Sequence, residues 1–178
     1  GIHRTAPVAG DPASPVVVLS QLHHPDVTMY LVAAKSFCRF VRPGRFVIVD
    51  DGLTAEDRAL LQRHFSPLSF VPSGEVSSED CPKGGCWERL LTISDLNASH
   101  YVIQLDADTV TVHRPDEVIE CIQRGVSFTL GTPGGRRVVP TSETSRIAAG
   151  WAGQHVQVVA EQAAHRLPPA LGELYVHG

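Results

Sequence analysis

Short uncharged runs rich in β-branched residues alternate along the chain with stretches whose apolar residues recur every three or four positions. The runs Val16-Val17-Val18-Leu19-Ser20, Phe46-Val47-Ile48-Val49, Leu68-Ser69-Phe70-Val71-Pro72, Tyr101-Val102-Ile103-Gln104-Leu105 and Val126-Ser127-Phe128-Thr129-Leu130 read as buried strands. Between the first two, Val27, Tyr30, Ala34, Phe37, Cys38 and Val41 fall at helical spacing, with Pro43-Gly44 as a stop. Thr54 reads as the N-cap of a second helix, with acids in its first turn and Leu60, Leu61 and Phe65 as its apolar side. Residues 73–85 form a long polar loop, and Trp87, Leu90, Leu91 and Ser94 mark a third helix. A fourth opens at Arg114-Pro115-Asp116-Glu117, with Pro as its first residue, and ends at Gly125. Beyond a Gly/Pro/Arg-rich stretch, Val156, Val159, Ala160 and Ala163 predict a last helix before Pro168-Pro169.

This alternation predicts an α/β fold, a Rossmann-like three-layer sandwich with a mainly parallel sheet. Residues 1–14 have no apolar periodicity and read as a flexible leader, with one domain over residues 15–178. In such sheets ligands bind beyond the carboxyl ends of the strands. Ser20, Asp50, Asp51, Asp106 and Asp108 all fall at those ends. The strand that ends in Asp106-Ala107-Asp108 carries the most specific chemistry. Side chains at i and i+2 share a face of an extended chain, so both carboxylates are expected to point one way. Two bare carboxylates raise each other's pKa, and a divalent cation between them removes that cost. Hard oxygen ligands suit Mg²⁺ or Mn²⁺. The plainer reading is an acidic turn, since Asp favours turns.

Composition narrows the class. The chain has 178 residues, 43% of them apolar and 19% charged, which is globular. A net charge of −4 offers no basic footprint for nucleic acid. No stretch approaches the roughly 20 apolar residues of a membrane span, and the N-terminus lacks a signal core, which points to the cytoplasm. Cys38 and Cys121 fall on apolar helical positions and read as reduced core residues. Cys81 and Cys86 leave a bridge or a shared metal open, but no second Cys/His pair follows at zinc-site spacing. His23, His24, His113 and His177 have no partner spacing and read as surface or turn residues. Asn97-Ala98-Ser99 matches a glycosylation sequon by pattern alone.

Val16–Ser20, then Ile48-Val49-Asp50-Asp51-Gly52, then a Gly-containing loop with an Arg-bearing helix, then Gln104-Leu105-Asp106-Ala107-Asp108 resemble the nucleotide-binding half of GT-A glycosyltransferases over about residues 15–130. The resemblance implies a metal-dependent transfer of a sugar from a UDP- or GDP-linked donor to an acceptor. It implies that Ser20 and Asp50 or Asp51 contact the nucleoside, and that Arg89 approaches the base or the diphosphate. Asp106 would face the ribose or sugar, and Asp108 would hold the Mn²⁺ or Mg²⁺ that bridges the diphosphate. Members of the family continue past the DxD into an acceptor-binding half that carries the catalytic base. The stretch after Asp108 is short for that, so the acceptor half is expected to be missing or shortened, and no catalytic base is assigned.

Two other readings stay open. A donor-binding fragment or inactive homologue would bind nucleotide without turnover. Asp106-Ala107-Asp108-Thr109-Val110 also fits the DxDx[TV] motif of haloacid-dehalogenase-type phosphatases, in which the first Asp is a nucleophile. That family carries its motif on the first strand and needs a later Lys, whereas no Lys follows Lys83 here.

Overall fold

The computed structural model describes residues 1–128, 139–166 and 175–176. It is an α/β fold, a Rossmann-like three-layer sandwich around a parallel sheet. The chain divides into two compact units, Gly1–Glu79 with Glu88–Ser127, and Asp80–Trp87 with Phe128–Gly178, where one domain was expected. The cause lies in the long loop, whose last residues belong to the second unit. There the Trp87 indole N–H donates to the Gln154 carbonyl (2.9 Å), and the Val156 amide donates to the Gly85 carbonyl (3.0 Å).

In the first unit, β1 (Val8–Ala9), β2 (Val16–Leu22), β3 (Arg45–Asp50), β4 (Phe65–Ser66), β5 (Leu68–Pro72) and β6 (Tyr101–Gln104) alternate with α1 (Val27–Phe37), α2 (Ala55–His64), α3 (Trp87–Asn97) and α4 (Asp116–Arg124). The main sheet has the order β5-β3-β2-β6, and every neighbour pair is parallel. The sequence climbs from β2 to β5 in one direction and then crosses to β6 on the other side. The reversal makes the β2/β6 boundary the topological switch point.

Alternation along the strands sorts the side chains to two faces. Val16, Val18, Leu22, Phe46, Ile48 and Ile103 pack with α1, α2 and α4. Val17, Leu19 and Val47 pack with Val71, Val102 and the α3 residues Ile93 and Leu96. Burying the apolar residues of β2 on both faces stabilises by roughly 1.5–3 kcal/mol per large aliphatic side chain. Thr54 caps α2, its hydroxyl accepting the Asp57 amide (3.1 Å) while the Asp57 carboxylate accepts the Thr54 amide (2.9 Å).

Several expectations are corrected. Residues 1–14 are not a free leader, because Val8 and Ala9 pair in parallel with Phe65 and Ser66 and the Lys35 ammonium donates to the Ala6 carbonyl. The first helix stops at Phe37, before Pro43-Gly44. On α3, Leu90 and Ser94 face outward, since Ile93 and Leu96 take the sheet. Pro115 is the N-cap of α4 and not its first residue. Val126–Phe128 is not a strand. Gly125 closes α4 in the left-handed region (φ 63°), the Val126 amide donates to the Cys121 carbonyl, and the Val126 carbonyl accepts the Tyr101 hydroxyl (2.7 Å), so that backbone is taken. Thr129 and Leu130, and most of the Gly/Pro/Arg-rich stretch, lie outside the described residues.

The second unit holds β7 (Val139–Pro140), α5 (Thr141–Ala148), α6 (Val156–Ala163) and β8 (Tyr175–Val176), with β7 and β8 antiparallel. The Ser145 hydroxyl donates to the Glu161 carbonyl (3.1 Å) and accepts the His165 amide (2.8 Å), which ties α5 to the end of α6. All four cysteines are free thiols, and burial pushes Cys38 up to about 12. No described helix is long and apolar enough to cross a membrane.

Candidate functional site

The carboxyl ends of β5, β3, β2 and β6 lie side by side, and what each presents depends on which face its last residues occupy. Ser20 continues the Val16–Val18 face toward α1. It is 1% exposed, and its hydroxyl donates to the Leu105 carbonyl (2.5 Å). Asp50 continues the Phe46–Ile48 face. Its carboxylate accepts the Leu53 amide (2.9 Å) and the Arg58 guanidinium (2.6 Å). Burial pushes that carboxyl up, but the bonds from Arg58, Leu53 and Gly52 outweigh it and hold the group below the usual carboxylate range. Ser20 and Asp50, both expected to face a nucleoside, are therefore built into the fold. A shift of one residue along a strand changes the face, and that decides which neighbour is available.

Their neighbours Gln21 and Asp51 fall on the α3 face. The Gln21 amide donates to Asp51 Oδ2 (2.9 Å), and the Ser73 hydroxyl donates to Asp51 Oδ1 (3.1 Å). His23 Nδ1 is 2.9 Å from the Asp51 carbonyl, which accepts its proton. The turn that holds Asp51 needs a glycine, because Gly52 sits at φ 95°. Gln21 Oε1 is buried and has no hydrogen-bond partner among the described residues.

On β6 the same face carries Gln104 and Asp106. Both the Gln104 amide and the Arg89 guanidinium donate to Asp106 Oδ1, each at 2.8 Å. The β2–β6 register pairs Leu19 with Gln104, and the Leu105 amide still donates to the Leu19 carbonyl. The Asp51 group and the Asp106 group therefore lie at the carboxyl ends of the neighbouring strands β2, β3 and β6, on the same face of the sheet. Arg89 was expected near a base or diphosphate, and it reaches this edge through Asp106.

The DxD was expected to continue the strand, and it does not. Strand β6 ends at Gln104, and Ala107-Asp108 is a turn, closed by the Thr109 hydroxyl donating to the Asp106 carbonyl (2.8 Å). Strand alternation therefore does not fix where Asp108 points. Asp108 is exposed and makes no hydrogen bond or ion pair among the described residues. No three His, Cys, Asp or Glu side chains converge among the described residues. Asp106 Oδ2 likewise has no bond among the described residues, its Oδ1 taking both Gln104 and Arg89.

The sequence reading gave no site role to Gln21, Ser73 or Gln104. Counting alternation from Val17 and Leu19 would have reached Gln21. Ser73 lies past the end of β5 and had no local signal. Set against family models, curated proteins and solved structures, the chain has no match.

Proposed function

We propose that this chain is the donor-binding part of a metal-dependent glycosyltransferase that uses a UDP- or GDP-linked sugar. The observation that carries the reading is the polar edge on the α3 face, Ser73–Asp51–Gln21 followed by Gln104–Asp106–Arg89, at the switch point of a parallel sheet. The Asp51 carboxylate can only accept and stays 35% exposed, which suits the ring N–H of uracil or guanine; adenine in a nucleotide has no ring N–H to offer. No GxGxxG or GxxxxGK[ST] loop is present to hold phosphates by backbone amides.

Asp106 and Asp108 would hold the Mn²⁺ or Mg²⁺, whose charge offsets that of the departing diphosphate. Arg89 lends positive charge from the α3 side, and its bond to Asp106 keeps that carboxylate in place. Calorimetry with UDP, GDP, CDP and ADP, each with Mn²⁺, tests the reading. Tightest binding is expected for UDP or GDP, and tightest binding of ADP, or no binding at all, refutes it.

A further inference from the structure

Residues 1–10 lie as a strap against α1 and the end of α2. A short helical turn, Ile2–Arg4, packs on α1, with Ile2 partly buried against the core. His3 Nε2 is 3.2 Å from the Thr28 hydroxyl, and the Lys35 ammonium donates to the Ala6 carbonyl. Val8 and Ala9 pair with Phe65 and Ser66, and the Gly10 amide donates to the Ser66 carbonyl (2.6 Å). A two-residue ladder is too short to hold by itself, so the strap depends on its side-chain ties. Phe65, the partner of Val8, is 1% exposed, and its ring lies 4.8 Å from that of Phe46 and 5.6 Å from that of Tyr30.

His64, the last residue of α2, immediately precedes that ladder. It is 4% exposed and bonds to the His3 backbone, while its Nδ1 is buried with no partner among the described residues. A proton taken up at Nδ1 is a donor without an acceptor, in a place closed to water. The charged groups that face the ring are cationic: Lys35 from α1, Arg63 from α2 and, when protonated, His3 from the strap. No described carboxylate forms an ion pair with His64. Burial and then the Lys35 charge therefore hold the imidazole below its ordinary value, although the bond to the His3 backbone acts the other way.

We propose that residues 1–10 are an acid-released strap with His64 as its latch: a neutral His64 keeps the strap closed, and a protonated one frees it and uncovers Phe65 while the main sheet stays folded. Opening gives the imidazolium water as an acceptor and moves the strap's own positive charge away. The sheet β5-β3-β2-β6 takes no strand from the strap, so local opening can precede unfolding. The closed form binds this proton less readily than the open form. Closure is therefore complete above about pH 6.5, and opening grows by up to about tenfold per pH unit as pH falls from there toward the lowered closed-form value. Nothing in this device depends on what binds at the carboxyl ends of the strands.

Amide hydrogen exchange over about pH 5–8 on the parent chain, His64→Gln and His3→Gln tests it, each rate being divided by the intrinsic rate at that pH. In the parent, protection of the Gly10 amide should hold above about pH 6.5 and fall by up to about tenfold per unit below it. The Leu105 amide, bonded to the Leu19 carbonyl in the main sheet, should keep its protection throughout. An apolar fluorescent dye (ANS) should brighten over the same range as Phe65 is uncovered. His64→Gln keeps a donor for the His3 backbone and cannot charge, so Gly10 protection should become flat and the dye signal should vanish. His3→Gln should keep most of the slope, because His3 is exposed and its charge acts only through His64. Flat Gly10 protection in the parent overturns the strap, and so does simultaneous loss at Gly10 and Leu105, which is unfolding of the whole. A slope that survives in His64→Gln overturns the latch. If His64→Gln does not fold, the parent and His3→Gln still decide, since a slope abolished in His3→Gln makes His3 the titrating group.

Discussion

Two acid pairs flank β2, Asp50-Asp51 at the end of β3 and Asp106-Ala107-Asp108 at the end of β6. The carboxylate of Asp50 is 5% exposed and carries a guanidinium and an amide, whereas that of Asp106 is 54% exposed and Asp108 has no bond at all among the described residues. Asp51 stands between these extremes, bonded on both oxygens yet 35% exposed. The same residue type at the same place on neighbouring parallel strands thus serves the fold at one end and is free for chemistry at the other. The path of the chain beyond each strand makes the difference. After β3 a tight glycine turn and a helix return Arg58 to Asp50, whereas after β6 the chain makes a polar turn with no helix close behind.

The largest expected effect separates the two pairs by stability. Asp50→Ala leaves Arg58 without its carboxylate and the Leu53 amide without an acceptor. The loss should be about 2–3 kcal/mol in urea unfolding, kept below the fully buried case because Arg58 is half exposed. Asp108→Ala should leave the unfolding midpoint where it is. Equal destabilisation by both would break the comparison.

The next effect reverses the order. Asp108→Asn keeps the size and removes a charged ligand, so the Mn²⁺ enhancement of UDP or GDP binding should fall by more than about tenfold, with an unchanged melting temperature. A metal effect that survives in the folded variant excludes Asp108 as a ligand. Asp51→Asn should weaken nucleotide binding by about tenfold, equivalent to ~1.4 kcal/mol, whether or not metal is present. Titration of both variants with and without Mn²⁺ places them on opposite sides of a double comparison. If Asp51→Asn alters only the metal effect, the division of labour along the edge is wrong.

The smallest effect extends the contrast to two histidines. His24 is exposed and held by a carboxylate, whereas His64 is 4% exposed, with a buried Nδ1 that has no partner among the described residues. Burial, and then the Lys35 charge, lower His64 from its ordinary value, against a hydrogen bond to the His3 backbone; Arg63 and His3 add to the positive surroundings. The folded chain therefore binds this proton less readily than the unfolded chain. Its contribution is complete above about pH 6.5 and is lost as pH falls from there toward the lowered folded value. His64→Gln should flatten that acid-side slope of thermal stability, and His24→Gln should not.

Much of the fold was legible along the chain because strand and helix periods are local. Val16–Ser20, Phe46–Val49 and the spacing from Val27 to Phe37 each carry their own signal. The Thr54 cap and the Gly125 stop were readable for the same reason, since each closes bonds within a few residues. The pairing of Val8 with Phe65 was not, because two short segments with little pattern gain their meaning only from each other.

What the sequence determined by itself is the α/β alternation and the delivery of acids to the carboxyl ends of the strands, because a parallel sheet puts all those ends on one edge. Only the tertiary structure decided which acids are available there. Exposure depends on partners brought from distant elements, such as Arg58 from α2, Arg89 from α3 and Ser73 from beyond β5. It also depends on strand register, where one residue separates the enclosed Ser20 and Asp50 from the part-exposed Gln21 and Asp51. His24 and Asp57 make the same point, since nothing between them in the chain joins them and the packing of two βα turns does.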